Sequence, residues 1–366
     1  MKLKKLSLAL TVTLLCLLAM EMLVRVVLPR PGFIPFHPWE VGLLIPHPTR
    51  HYAYTPNFVG KINNREYQID IVINSLGLRD NPITPNDRVD VLAAGDSFTV
   101  GLGVQVEDAW PAQLERYINS ALVLPKSMRV VNGGVSGYSL SQIRLLIEEL
   151  TMSFQPKIVV LGVYSSAYWR LNDPYVYLNG NAVLSSMVPQ LRTTEGGFLY
   201  SDISNKRLER VQWWLMENFY LGAYLLETVR NLEGKLIGPE QNDNKASSST
   251  EEKLIPLLNK LEAIKKLLSS RDIGLAVLLV NQQEKDGSFS ASEKENNAIV
   301  KSYCRDLGIT VFDPVPSFES FFSEGPVFRI GDDRHWSKRA HALVGKELGA
   351  FLLQQHWVLN SLLAPK

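Results

Sequence analysis

Cysteine is nearly absent. Cys16 and Cys304 are the two in 366 residues. Cys16 falls in an apolar N-terminal stretch, which argues against a structural disulfide between them. Two cysteines also leave no metal-ligand spacing. A surplus of charge is missing as well: 38 Lys and Arg stand against 37 Asp and Glu, a formal net charge of +1. That balance gives no electrostatic reason to expect nucleic acid as a partner. No internal repeat is apparent. The N-terminal segment lacks a convincing small-x-small cleavage site, and Leu14-Leu15-Cys16 lacks the small residue that a lipoprotein cysteine wants before it.

What is present is an ordinary globular composition, 46% hydrophobic and 20% charged, in a chain long enough for one large domain or two modest ones. Residues 1–28 depart from it. Lys2, Lys4 and Lys5 precede an apolar run in which, from Leu6 to Leu28, only Glu21 and Arg25 are charged. The run matches the ~20 residues needed to cross a bilayer. By the positive-inside rule the lysines keep the N-terminus cytoplasmic. We read a single-pass transmembrane anchor with the remainder extracytoplasmic, in the periplasm or at the cell surface; a cleaved signal peptide is the rival reading. Glu21 and Arg25 are four apart with the acid first, the better order for a pair on one helix face.

Residues 29–87 are rich in proline, aromatics and polar residues, with short alternating pieces such as "EYQIDIVIN", and read as an irregular stem or small β cap. "INSLGLRD" reads as a turn pivoting on Gly77. From residue 88 onward the pattern becomes strand and helix in alternation. Strands are expected over Val89–Ala94, "RVVN", "KIVVLGV", "GLAVLLV" and "ITVFD". Helices are expected over Asp108–Leu122, behind the capping-box spacing of Ser139 and Gln142, along Leu254–Leu268, near Ser290–Asp306, and over a closing segment from Ala340 to Leu352. Five short apolar strands separated by amphipathic helices imply a parallel sheet covered on both faces, an α/β architecture. An insertion at about 165–250 holds a long aromatic-rich helix, "KRLERVQWWLMENFYLGAYLLETVR", and then the polar tract "GPEQNDNKASSSTEEK", expected as a surface loop. Trp213, Trp214, Phe219, Tyr220 and Tyr224 on that helix read as core or as a lid.

In open α/β sheets, ligands bind beyond the carboxyl ends of the strands. Three polar clusters fall there: Ser97 after the first strand, Asn132–Gly137 after the second, and Tyr164-Ser165-Ser166 after the third. Ser97 alone is either a turn serine or a nucleophile. A hydroxyl nucleophile needs a base to take its proton, and the base needs its tautomer fixed. "GDDRHWS" supplies His335 with Asp332 three residues before it and Asp333 as a weaker rival. Asp96 beside the serine reads as a turn or helix-start residue. His47 and His51 lie in a proline-rich stem without clustered acids, so no metal site is read there.

These blocks resemble the SGNH (GDSL-type) hydrolases. "GDSFTVG" is similar to the family's first block, "NGGVSG" to its second and "DDRH" to the Asp-x-x-His of its fifth, in order over about Val89 to Leu352. The Glu-x-x-x-Arg at the anchor's end and "INSLGLRD" resemble a membrane-anchored bacterial branch. The resemblance implies a flavodoxin-like three-layer α/β/α sandwich with a five-stranded parallel sheet. It also implies a catalytic triad of Ser97, His335 and Asp332, and an oxyanion hole from the backbone N–H groups of Ser97 and Gly137. The third block departs from the family's Gly-x-Asn-Asp. Asn172 on a longer loop, or Ser166 through its hydroxyl, would supply the third donor, or that donor is absent.

The expected function is an exported, membrane-anchored serine ester hydrolase without metal or organic cofactor, acting on an ester-bearing small molecule, glycan or lipid. The alternatives are an acyltransferase modifying a cell-surface polysaccharide with the same triad, and a non-catalytic binding protein on a degenerate scaffold. No nucleic-acid partner is expected.

Overall fold

The computed structural model describes residues 2–27, 42–63, 66–122, 127–172, 174–178, 181–185, 191–193, 199–201, 219–222, 249–321, 324, 328–331 and 334–364. The chain divides into two units. One comprises Met1–His37 and Asp202–Ser247, the other Pro38–Ser201 and Ser248–Lys366.

In the first unit, helix α1 runs Lys2–Val27. Its Ser7–Val27 portion has a mean hydropathy of 2.2 and is long and apolar enough to cross a membrane. At 1.5 Å per residue it spans roughly 31 Å, the thickness of a bilayer's hydrocarbon core. The Glu21–Arg25 pair forms at 2.7 Å. The Glu21 carboxylate also accepts the backbone N–H groups of Tyr220 and Leu221, each at 2.9 Å. Most of the expected aromatic-rich helix, and the polar tract up to residue 248, lie outside the described residues.

The second unit begins with two antiparallel hairpins: β1 Leu44–His47 with β2 His51–Tyr54, and β3 Val59–Asn63 with β4 Gln68–Val72. The alternation in "EYQIDIVIN" is real: β4 buries Ile69 and Ile71 and exposes the residues between and beside them. The sheet then starts with β5 Val91–Gly95, which leads into the one-turn helix α2 Ser97–Val100. Next come α3 Trp110–Ala121, β6 Val130–Gly134, α4 Leu140–Phe154 and β7 Ile158–Val163. A 3-10 turn over Ser165–Leu171 follows, then two small hairpins that alternation did not reveal: β8 Tyr175–Leu178 with β9 Asn181–Leu184, and β10 Leu191–Thr193 with β11 Leu199–Ser201. The chain closes with α5 Thr250–Ser269, β12 Gly274–Leu279, α6 Ala291–Asp306, β13 Thr310–Phe312, α7 Val315–Glu319, α8 Lys338–Leu353 and α9 His356–Leu363.

The five-stranded sheet has the order β13-β12-β7-β5-β6, and all its pairings are parallel. Numbered along the chain, this is the flavodoxin-like 2-1-3-4-5 order. The sheet's two faces separate by side-chain parity. Leu92, Val159, Leu161, Val277 and Leu279 belong to one core with α4, α5 and α6. Val91, Val160, Ala276 and Leu278 belong to the other with α3, α8 and α9. The three-layer sandwich is therefore present as expected.

Boundaries moved where backbone geometry overrides pattern. The helix expected from Asp108 begins at Trp110, because Val106–Asp108 closes its own 3-10 turn and Pro111 sits in the first turn, where its missing N–H is harmless. Cys304 is buried and Cys16 exposed, and both are free.

Candidate active site

Ser97 opens α2 directly after β5, so its hydroxyl stands at the carboxyl end of the sheet, where β5 has the second strand on one side and the third on the other. This is the reversal point at which ligands bind in such sheets. Asp96 caps the turn: its Oδ1 accepts the Phe98 N–H at 3.1 Å. Its Oδ2 accepts from Arg170 Nη1 at 2.9 Å. Asp96 is thus a helix-start residue, and Arg170 ties it to the 3-10 turn behind β7. A side chain at Gly134 would strike the backbone of Thr99 and Val100, so only glycine lets β6 pass this close beneath α2.

His335 arrives from 238 positions away. Its Nε2 lies 2.8 Å from Ser97 Oγ. The strip carrying it is pinned by the Arg329–Trp336 bridge, by Ile330 N–H donating to the His335 carbonyl at 2.9 Å, and by Trp336 Nε1 donating to the Asn281 carbonyl at 2.6 Å. The Phe98 ring packs beside the imidazole at 4.9 Å between centroids. Asp332 and its rival Asp333 lie outside the described residues.

The second polar cluster forms a four-residue turn, Val135–Tyr138, closed by Tyr138 N–H donating to the Val135 carbonyl at 3.3 Å. Gly137 holds φ +78°, in the left-handed region. Among the described residues, neither the Ser97 N–H nor the Gly137 N–H has a hydrogen-bond acceptor.

At the third cluster, the Gly-x-Asn-Asp register falls on Gly162-Val163-Tyr164-Ser165. Tyr164 stands where the asparagine would, and its hydroxyl donates to Gln282 Oε1 at 2.8 Å. Burial pushes that phenol's pKa well above the usual phenol range, so the hydroxyl keeps its proton at physiological pH. Ser165 is buried, with Oγ 2.5 Å from Asn297 Oδ1. Ser166 is half-buried, and Asn172 is exposed at the end of the 3-10 turn. Neither of those two side chains bonds to a described residue.

The stem also takes part in this region, which the reading of its residues had missed. Tyr52 Oη donates to the Ser136 carbonyl at 2.6 Å, and Tyr54 Oη accepts the Ser136 N–H at 3.1 Å. From the "INSLGLRD" loop, Arg79 donates to the carbonyls of Val100 and Gly101, just after the serine, and to those of Asp70 and Val104. Asp80 accepts the Asn132 N–H at 2.7 Å. The consecutive pair Arg79-Asp80 thus grips the Ser97 turn with one residue and β6 with the next. Tyrosines at alternate positions in a short strand were the available signal for a buried pair.

No family model matches the chain, and no curated protein matches it. Solved structures do align with it. One is a member of the lipolytic protein G-D-S-L family from Veillonella parvula, at 12% identity over 73% of this chain and 100% of its own, with a TM-score of 0.39. An acetylxylan esterase from Geobacillus stearothermophilus aligns at 13% identity over 75% of this chain and 98% of its own, with a TM-score of 0.41. An α/β hydrolase from the metagenome of Lake Arreo, Spain, aligns at 13% identity over 72% and 94%, with a TM-score of 0.42. At such values the functional reading has to rest on the site's own geometry.

Proposed function

We propose that this protein is a serine ester hydrolase of the SGNH type, and the hydrogen bond between Ser97 Oγ and His335 Nε2 carries the reading. Ser97 attacks the acyl carbonyl while His335 takes its proton. The imidazolium then protonates the departing alcohol, and water, activated by the same imidazole, releases the acid from the acyl-serine. Asp332, by its spacing three residues before the histidine, is the acid assigned to orient the ring. The Ser97 and Gly137 N–H groups receive the oxyanion, as their lack of described acceptors supports. Ser166 and Asn172 stand as candidates for a third donor. The substrates are O-acyl esters of a glycan or lipid. We further propose that α1 anchors the enzyme in a membrane with the catalytic unit on the extracytoplasmic side, on the strength of its length, hydropathy and leading lysines.

The test is labelling with a fluorophosphonate probe alongside hydrolysis of 4-nitrophenyl acetate. Wild type should label and turn over. Ser97→Ala and His335→Ala should lose labelling and at least ~10⁴-fold in kcat. A folded wild type that neither labels nor hydrolyses would refute an enzymatic role.

A further inference from the structure

The 135–138 turn has two possible backbones that differ mainly by rotation of its central peptide, the unit joining Ser136 to Gly137. Gly137 at φ +78° identifies the type II form. In a trans peptide the C=O and N–H point in opposite directions, so whatever holds the Ser136 carbonyl also aims the Gly137 N–H. One side chain among the described residues does so: the Tyr52 hydroxyl, donating at 2.6 Å.

We propose that Tyr52 is a positioning residue of the active site: its hydroxyl locks the Ser136–Gly137 peptide in the type II orientation and so keeps the Gly137 N–H turned toward the oxyanion. The proposal rests on the ester-hydrolase reading for its kinetic consequence, but not for its structural one. Three further observations support it. Tyr52 is almost fully buried, so no water competes for the Ser136 carbonyl from that side. Burial among Tyr138 and Tyr54 drives its own ionisation well above the usual phenol range, and the group stays a donor across the working pH range. Its position is itself fixed, since Tyr138 Oη donates to the Tyr52 carbonyl at 2.5 Å and the two rings meet edge-on at 5.1 Å between centroids. The site also allows no substitute for glycine in the turn, because a Cβ at position 137 would lie 2.8 Å from the Tyr52 oxygen. The stem hairpin is in this sense part of the active site rather than a spacer.

Tyr52→Phe keeps the ring and its packing and removes the donor. Its crystal structure should show the central peptide rotated or in two orientations. On 4-nitrophenyl acetate its kcat should fall about 10- to 100-fold with KM unchanged, approaching the loss expected for one missing oxyanion donor. A purely structural tyrosine would lower the melting temperature and leave kcat and peptide orientation alone, and that result overturns the proposal. If the wild type proves inactive, the hydrolase reading falls, and the peptide plane in Tyr52→Phe still decides: rotated supports the lock, unmoved overturns it. Should the variant not fold, a wild-type crystal structure with a phosphonate on Ser97 takes its place. The Tyr52 hydroxyl on the Ser136 carbonyl with Gly137 N–H on the phosphoryl oxygen supports the lock. A tyrosine hydroxyl directed elsewhere overturns it.

Discussion

Asp96 shows how much a residue next to Ser97 can contribute through capping and charge pairing alone. Its two oxygens do different jobs, one capping the turn that opens at Ser97 and the other holding Arg170, and both side chains of the pair are largely withdrawn from water. Removing one partner of such a pair strands the other charge, which is costlier than never having built the pair. Arg170→Met should therefore destabilise the fold by about 3 kcal/mol, measured by urea unfolding. Arg170→Met together with Asp96→Asn should recover part of that loss, since asparagine can still cap the turn. Equal stability of the single and double variants would show that the pair is not coupled.

At the scale of elements, the unusual device is the loop between β4 and β5. Arg79 is only 1% exposed and donates to the carbonyls of Asp70, Val100, Gly101 and Val104, so one side chain joins the second hairpin to the segment that follows Ser97. Burial pulls its guanidinium down to about 10, which leaves it charged at neutral pH. Arg79→Met fills the space but leaves the buried carbonyls of Val100 and Val104 without their side-chain donor. At about 1 kcal/mol or more for each, a loss of roughly 3 kcal/mol is expected, as a lower urea midpoint with unchanged slope. Arg79→Lys should recover little, because a single ammonium cannot span four divergent acceptors. The "INSLGLRD" string was legible as a turn on Gly77, which indeed has φ +75°. That its last two residues reach the Ser97 turn and β6 was not legible, because Arg79 donates to backbone carbonyls and Asp80 accepts a backbone N–H, groups that carry no residue signature.

For the whole molecule, two buried groups give the pH dependence of stability opposite slopes. His341 accepts the Trp110 N–H through Nδ1, and burial holds its pKa down to about 3. The unfolded chain binds this proton near pH 6.5 and the folded one does not, so stability is complete above about 6.5 and is lost as pH falls toward 3. Glu293 receives the Gln282 N–H, and burial raises its pKa to about 7. Here the folded chain keeps the proton, so its contribution is complete below about 4.5 and is lost as pH rises to about 7. Between 4.5 and 6.5 the two slopes offset each other. Glu293→Gln should remove one slope, so that stability rises steadily with pH across that interval by about 1.4 kcal/mol per unit. His341→Asn should produce the opposite trend. Denaturant midpoints at half-unit steps of pH would check both.

Much of the architecture was written in the order of residues. Apolar runs such as "KIVVLGV" and "GLAVLLV", alternating with amphipathic helices, determined a parallel sheet, because strands covered on both faces must be apolar throughout. Gly95-Asp96-Ser97 and the Asp332–His335 block were likewise visible as local strings with a chemical rationale. What the string could not contain was distance. Only the tertiary structure decided that an imidazole 238 positions from the serine stops 2.8 Å from its hydroxyl. Only it decided that two stem tyrosines grip the peptide groups of the Ser136 turn. The reason is physical: secondary structure follows from periodicities a few residues long, whereas a site is assembled by packing, which brings together segments whose separation along the chain leaves no local mark.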